Sequence, residues 1–206
     1  MIDTPRQFIE PQPIILPQLQ MLLLDKVIQR PPALNIPSGY RLRLFNLDED
    51  VDRYVELMHE AGFNDFTPES TLSWANRVIP QGFFIIEHQK SGDFAATALC
   101  NHEPTPFHPN GGELGWVAGA RKHAGKHLGQ AVCSAVIQRF VQAGYRRIYL
   151  KTDDWRYPAI KTYLNLGFVP FLFSSEIKQR WRTVCETLGW PYDPASWPKV
   201  GDAAKS

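Results

Sequence analysis

The stretch "ELGWVAGARKHAGKHLGQAVCSAVIQRFVQAGY", residues 113 to 145, constrains the fold more than any other segment. It opens as an alternating apolar run, crosses a basic loop holding Gly125 and Gly129, and continues as a long amphipathic stretch. Leu128, Val132, Val136 and Phe140 recur every four residues, Cys133, Ile137 and Val141 widen the stripe, and Gly144 stands where a C-cap glycine belongs. The spacing predicts a strand, a loop and a helix over 128–141. A helix N-terminus behind a glycine-containing loop presents unpaired N–H groups and the positive end of a dipole. Arg121, Lys122, His123, Lys126 and His127 add charge there. The junction predicts an anion site, with phosphate the first candidate.

Around this unit the pattern alternates between period two and period 3.6. "YRLRLFNL" reads as a strand, "DEDVDRYVELMHEAGF" as a helix ending at Gly62, and "ESTLSWANRVI" as a second short helix. "GFFIIEHQ" and "DFAATALCNHE", joined by "KSGD", read as an antiparallel hairpin, and "ELGWVAG" as a third meandering strand. After the long helix come a strand in "RRIYLKTD", a helix in "YPAIKTYLNLGF" opened by proline and closed by Gly167, and a strand in "VPFLF". In "SSEIKQRWRTVCETLGWP", Ile177, Trp181, Val184, Cys185 and Leu188 share one helical face.

The resulting order, βααβββαβαβ, makes the class α/β (α+β) with one mixed sheet. Three segments are expected: an arm over 1–37, a domain over 38–173 and a helical tail over 174–206. The arm carries Pro5, Pro11, Pro13, Pro17, Pro31, Pro32 and Pro37 among the chain's 17 prolines. Because proline lacks the N–H donor, the arm is expected to stay outside any regular layer, extended except for one short helix around Leu19 to Ile28.

Composition narrows the function classes. With 22 Lys+Arg against 21 Asp+Glu, no global field draws the chain to nucleic acid or an anionic membrane. One basic turn is a smaller surface than nucleic-acid binding needs, though such a turn can also be an ordinary solvated one. Cys100, Cys133 and Cys185 form no CxxC pair, and the six histidines show neither HxxxH nor HExxH spacing, so no catalytic metal is expected. "MLLL" is too short to span a membrane, which suits a cytoplasmic protein.

Two phosphate motifs fail at the basic junction. A Walker A loop has four residues before Gly-Lys and then Ser or Thr; here five separate Gly119 from Gly125, and His127 follows Lys126. A dinucleotide fingerprint needs GxGxxG in a βαβ unit, whereas these strands form a meander. From about Tyr40 to Phe173, roughly two thirds of the chain, the sequence instead resembles the GNAT superfamily of acyl-CoA-dependent N-acyltransferases. The family loop, Gln/Arg-x-x-Gly-x-Gly/Ala, corresponds to "AGKHLG", with Ala124 at the Gln/Arg position, His127 at the first glycine and Gly129 at the second. Ala124 and His127 depart from the pattern. "DDWRYPAIKTYLNLGF" resembles the family's Asn-x-x-Ala-x-x-x-Tyr-x-x-x-Gly-Phe helix through Ala159, Tyr163, Gly167 and Phe168, with Arg156 at the asparagine position.

The resemblance implies acetyl-CoA as co-substrate, its pantetheine arm pairing with Val117, Ala118 and Gly119. It places the pyrophosphate on the amides of Ala124, Gly125, Lys126, His127, Leu128 and Gly129, with Lys122 or Lys126 toward the adenosine 3′-phosphate. Direct attack by a primary amine in a ternary complex is expected, because no Cys or Ser sits with a His–Asp partner at recognisable spacing. Glu113 is the first candidate for the base that neutralises the alkylammonium, whose pKa is about 10.4; Asp153, Asp154 and His123 come behind it. Tyr163 aligns with the tyrosine that protonates the departing thiolate, and Val117 N–H is the expected carbonyl donor. The competing structural roles are a surface position after "NGG" for Glu113 and a core tyrosine for Tyr163. A non-catalytic CoA-binding module and a transferase of longer acyl groups stay open, as does the acceptor. Phe63, Phe66 and Trp74 line it or pack between helices. Trp181, Trp190 and Trp197 of the tail cover the sheet, lid the cleft or make a homodimer contact.

Overall fold

The computed structural model describes residues 16–202; residues 1–15 of the arm and 203–206 of the tail lie outside the described residues. In chain order the elements are β1 (Leu19–Leu23), α1 (Asp25–Gln29), β2 (Tyr40–Leu44), α2 (Val51–Glu60), α3 (Pro68–Ala75), β3 (Val78–His88), β4 (Phe94–His102) and β5 (Gly112–Gly119). A 3-10 turn (Arg121–His123) leads to α4 (Leu128–Gln142), β6 (Ile148–Thr152), α5 (Tyr157–Asn165), β7 (Phe168–Pro170) and α6 (Ser175–Leu188). From β2 to β7 this is the order read from the periodicity.

The expectation for the arm is corrected. Leu19–Leu23 forms an interior strand, and the short helix is confined to Asp25–Gln29. The seven-stranded sheet runs β2-β3-β4-β5-β6-β1-β7, with β1 antiparallel to both neighbours. The prolines flank this strand without interrupting it, and its near-continuous apolar run suits a position buried on both faces. Such a run is too short for its periodicity to tell strand from helix.

One face of the sheet carries α4, α5 and α6, whose buried Val132, Val136, Phe140, Ile160 and Trp181 share a core with Leu19, Met21 and Leu23 of β1. The other face packs α2 and the segment after it, with Tyr54, Leu57, Met58 and Phe66 against Phe83, Ile85 and Leu99. In α6 the expected face is the buried one: Ile177, Trp181, Val184 and Cys185 are fully enclosed. Trp197 belongs to the same core and packs edge-on to Trp181, so these two tail tryptophans cover the sheet.

The feature that positions the site is the parallel pair β5–β6. It is bonded only at Gly112↔Ile148 and Glu113↔Tyr149; beyond Glu113 the strands part. On its other side β5 stays paired with β4, through a bulge that sets Leu99 opposite Gly115 and Thr97 opposite Ala118. Trp116, at φ 50°, takes up the extra residue. Gly112 and Gly115 are required by close approach. A Cβ at Gly112 would lie 2.5 Å from Phe140 of α4, and one at Gly115 would lie 2.5 Å from the Asn101 amide. Among the described residues no helix is long and apolar enough to cross a membrane.

Candidate active site

A cavity of about 270 Å³ opens where β5 and β6 part. Glu113, Gly115, Trp116 and Val117 form its β5 wall, Lys151, Thr152 and Asp153 its β6 wall, and Arg156, Ala159 and Tyr163 of the α5 segment close one side. Phe63 and Trp74 close another, and Gln18 enters just before β1. The structure thus brings Glu113, Val117, Arg156 and Tyr163 to one place. Residues 120–127, past the end of β5, and the start of α4 lie outside this cavity.

Glu113 is not a surface residue after the turn. Its side chain is 14% exposed, and its Oε2 accepts from Lys151 Nζ at 3.1 Å and from the Tyr149 hydroxyl at 3.4 Å. Burial raises its carboxyl above the ordinary range, opposed by the Lys151 ammonium. The shift favours proton acceptance closer to neutral pH than an exposed glutamate would allow. Tyr163 is 6% exposed, and burial pushes its phenol up, so at neutral pH it is a proton donor. It is also a core residue, packed edge-on to Phe168 at 6.2 Å. The two roles proposed for it from sequence are compatible.

The other candidate carboxylates are held in ion pairs. Asp153 accepts from Gln18 at 3.0 Å and from Arg156 Nε at 3.2 Å. Asp154 holds the Arg180 guanidinium of α6. His123 sits at the far end of β5, against Tyr40. Arg156, at the N-terminus of α5, stacks its guanidinium 4.2 Å over the Phe63 ring and 4.6 Å over Trp155. It therefore belongs to the cavity wall. Phe66 is core and packs on Trp116 at 4.6 Å.

The basic loop has the geometry expected of an anion site. Gly125 (φ 75°) and His127 (φ 57°) both lie in the left-handed region, and His127 is the N-cap of α4 without any side-chain cap. The first N–H groups of α4 consequently have no side-chain acceptor. Residues 124–127 are exposed, and a Cβ at Gly125 or Gly129 would meet nothing within 4 Å, so the approach is open. Glu60 of α2 tethers the preceding turn by accepting from the Arg121 amide at 2.7 Å. Lys122 is paired with Asp93 at 3.0 Å, while Lys126 makes no ion pair among the described residues. These groups fit a diphosphate better than the sequence departures at Ala124 and His127 suggest, because His127 supplies backbone shape that glycine usually provides.

Sequence reasoning missed Lys151, Glu103, Gln18 and Thr152. Thr152 contributes a buried Oγ1 without a hydrogen-bond partner. One signal for Lys151 was present: it lies two residues from Tyr149, on the same face of β6. That this face meets Glu113 follows only from the β5–β6 register.

The architecture is a seven-stranded mixed sheet flanked by helices, its one parallel pair parting at the cavity and an uncapped helix following the same strand. The chain belongs to the acetyltransferase (GNAT) family, whose model matches residues 48–168. Among solved structures, a GCN5-related N-acetyltransferase from Sphaerobacter thermophilus is 24% identical over 75% of this chain and 49% of its own, with a TM-score of 0.58. A chain of the NatC complex bound to Gag peptide and CoA is 17% identical over 64% of this chain and 85% of its own, at TM-score 0.57. The ribosomal-protein-S18-alanine N-acetyltransferase from Escherichia coli is 17% identical over 63% and 77%, at TM-score 0.51. At these identities the likeness establishes the fold. The chain spans about half the length of the first of them. No curated protein matches it.

Proposed function

We propose that the protein is an N-acetyltransferase that moves an acetyl group from acetyl-CoA to a primary amine by direct attack. The observation that carries this reading is the convergence of the Glu113 carboxyl and the Tyr163 phenol on one cavity at the parting of β5 and β6. Acetyl-CoA, when bound, supplies a thioester-activated acyl group. The exposed loop from Ala124 to His127 and the first amides of α4, at Leu128 and Gly129, bind its diphosphate, with Lys122 and Lys126 toward the 3′-phosphate. Val117, Ala118 and Gly119 offer a strand edge. Glu113 takes the proton from the ammonium of the acceptor, the Val117 N–H donates to the carbonyl oxygen, and Tyr163 gives its proton to the leaving sulfur.

A direct route is favoured because the cavity holds no cysteine. Cys100, Cys133 and Cys185 are free and buried, and burial raises each thiol, so none is an activated nucleophile. Three reduced thiols also suit a cytoplasmic protein.

Calorimetry with acetyl-CoA, desulfo-CoA and adenosine 3′,5′-bisphosphate, followed by a thiol-release screen over an amine panel, tests the reading. Binding with amine-dependent thiol release supports it. Binding without release from any amine would leave a CoA-binding module, and absence of binding to all three would remove the acyl-CoA reading. Faster release from a longer acyl-CoA than from acetyl-CoA would change the donor.

A further inference from the structure

His123 closes the 3-10 turn with its side chain 10% exposed. Its Nδ1 shares a 3.0 Å hydrogen bond with the Tyr40 hydroxyl, and its Nε2 is buried with no hydrogen-bond partner. A buried polar atom left unpaired is destabilising and calls for an explanation. Next to it lie the His88 ring, 5.2 Å away between centroids, and the Asp93 carboxylate, 3.7 Å from Nε2. The three side chains offer ligand atoms within 4.8 Å of one another. His88 Nδ1 is engaged by Ser91 Oγ at 2.8 Å, so in both imidazoles an oxygen holds Nδ1 and leaves Nε2 over. That is how metal-binding histidines are commonly oriented by their outer partners.

We propose that His88, Asp93 and His123 form a binding site for a divalent transition metal of the zinc type, with the fourth position open to water. Two imidazoles and one carboxylate are a donor set that zinc accepts. Lys122 Nζ, 3.0 Å from Asp93 Oδ2, now occupies the place of a cation beside that carboxylate, and Ser91 Oγ donates to the same oxygen at 2.6 Å. Metal entry displaces the ammonium and leaves Ser91 as an outer partner. Ligand atoms around tetrahedral zinc are roughly 3.3 Å apart, so the three groups must draw together. The movement falls on the hairpin turn between β3 and β4, where Gly92 has φ 73°.

The site is separate from the cavity and has no part in the chemistry derived above. It joins the start of β2, the β3–β4 hairpin and the turn that precedes the anion loop. If that loop binds the coenzyme as proposed, metal binding also frees Lys122 from Asp93 for a phosphate.

Equilibrium dialysis of the full chain, stripped with chelator and then exposed to zinc, tests the site by metal analysis alone and is independent of acyl transfer. One zinc per chain is expected, together with a visible absorption band when cobalt(II) replaces it. His123→Ala, His88→Ala and Asp93→Asn should each weaken binding at least tenfold, and Lys122→Met should tighten it severalfold. Circular dichroism without metal identifies the variants that fold; should His123→Ala fail to fold, His88→Ala at the strand end decides. Substoichiometric zinc on the wild-type chain, wild-type affinity in the folded ligand variants, or weaker binding in Lys122→Met would each overturn the proposal.

Discussion

The two ends of β5 show opposite solutions to holding charge. At the Glu113 end a carboxylate is buried, paired with one lysine and raised by desolvation. At the Gly119 end the loop from Ala124 to His127 stays exposed, and what it offers is backbone shape and unpaired amides. The first arrangement suits proton transfer, which depends on a tuned pKa. The second suits holding a strongly hydrated polyanion, which depends on many weak donors and easy access. On the proposed function, one strand separates chemistry from anchoring, and substitutions at its two ends should fail in different kinetic constants.

The sharpest break is Glu113→Gln, expected to lower kcat by about 10²–10⁴-fold while coenzyme affinity stays near wild type. A base must be ionised to act. The wild-type rate should therefore climb with pH through a pKa above the ordinary carboxylate range; this limb should vanish in Glu113→Gln. It should move to higher pH in Lys151→Met, which removes the group that lowers the Glu113 pKa. Steady-state pH profiles check all three. Tyr163→Phe comes next, with a loss of about 10²-fold in kcat and little change in calorimetric affinity; unchanged kcat would return Tyr163 to the core alone.

At the other end the order of effects reverses. Gly125→Val forces a branched residue to φ 75°, so it should cost about 1–3 kcal/mol in stability and weaken acetyl-CoA binding with kcat at saturation retained. Lys122→Ala is the mildest. Its ion pair with Asp93 is exposed, so stability should change by less than about 1 kcal/mol in thermal melts, with only a severalfold rise in the coenzyme Kd. A kcat defect in either loop variant would blur the division between the two ends.

The same division explains what could be read from sequence. The anchoring end is local: the α4 stripe, the glycines and the basic residues lie within one continuous stretch, so its strand, loop and helix were legible with their boundaries. Tyr163 was legible because Ala159, Gly167 and Phe168 frame it at fixed intervals. The chemical end is assembled across the sheet. Glu113 meets Lys151 only because Gly112 and Glu113 pair with Ile148 and Tyr149, and no periodicity reports that register. Gln18 reaches Asp153 only because β1 enters beside β6. The apolar run that forms β1 has no polar alternation to mark it as a strand, and the prolines around it pointed to irregular structure. His123 looked like one more charge in a basic turn until its burial against Tyr40 set it apart from Lys122 and Lys126.

The placement of β1 bears on how the protein is made. The strand that carries Lys151 and Thr152 is bordered, on the side away from β5, by residues from near the start of the chain; Gln18 and Asp153 are 135 residues apart. Closing so long a loop is entropically costly, and β1 has no neighbour to pair with until β6 exists. On a ribosome, the meander from β2 to β5 can form while β1 still waits. The cavity between β5 and β6 is then enclosed only after β6 and α5 have emerged, with Gln18 brought in from more than a hundred residues upstream.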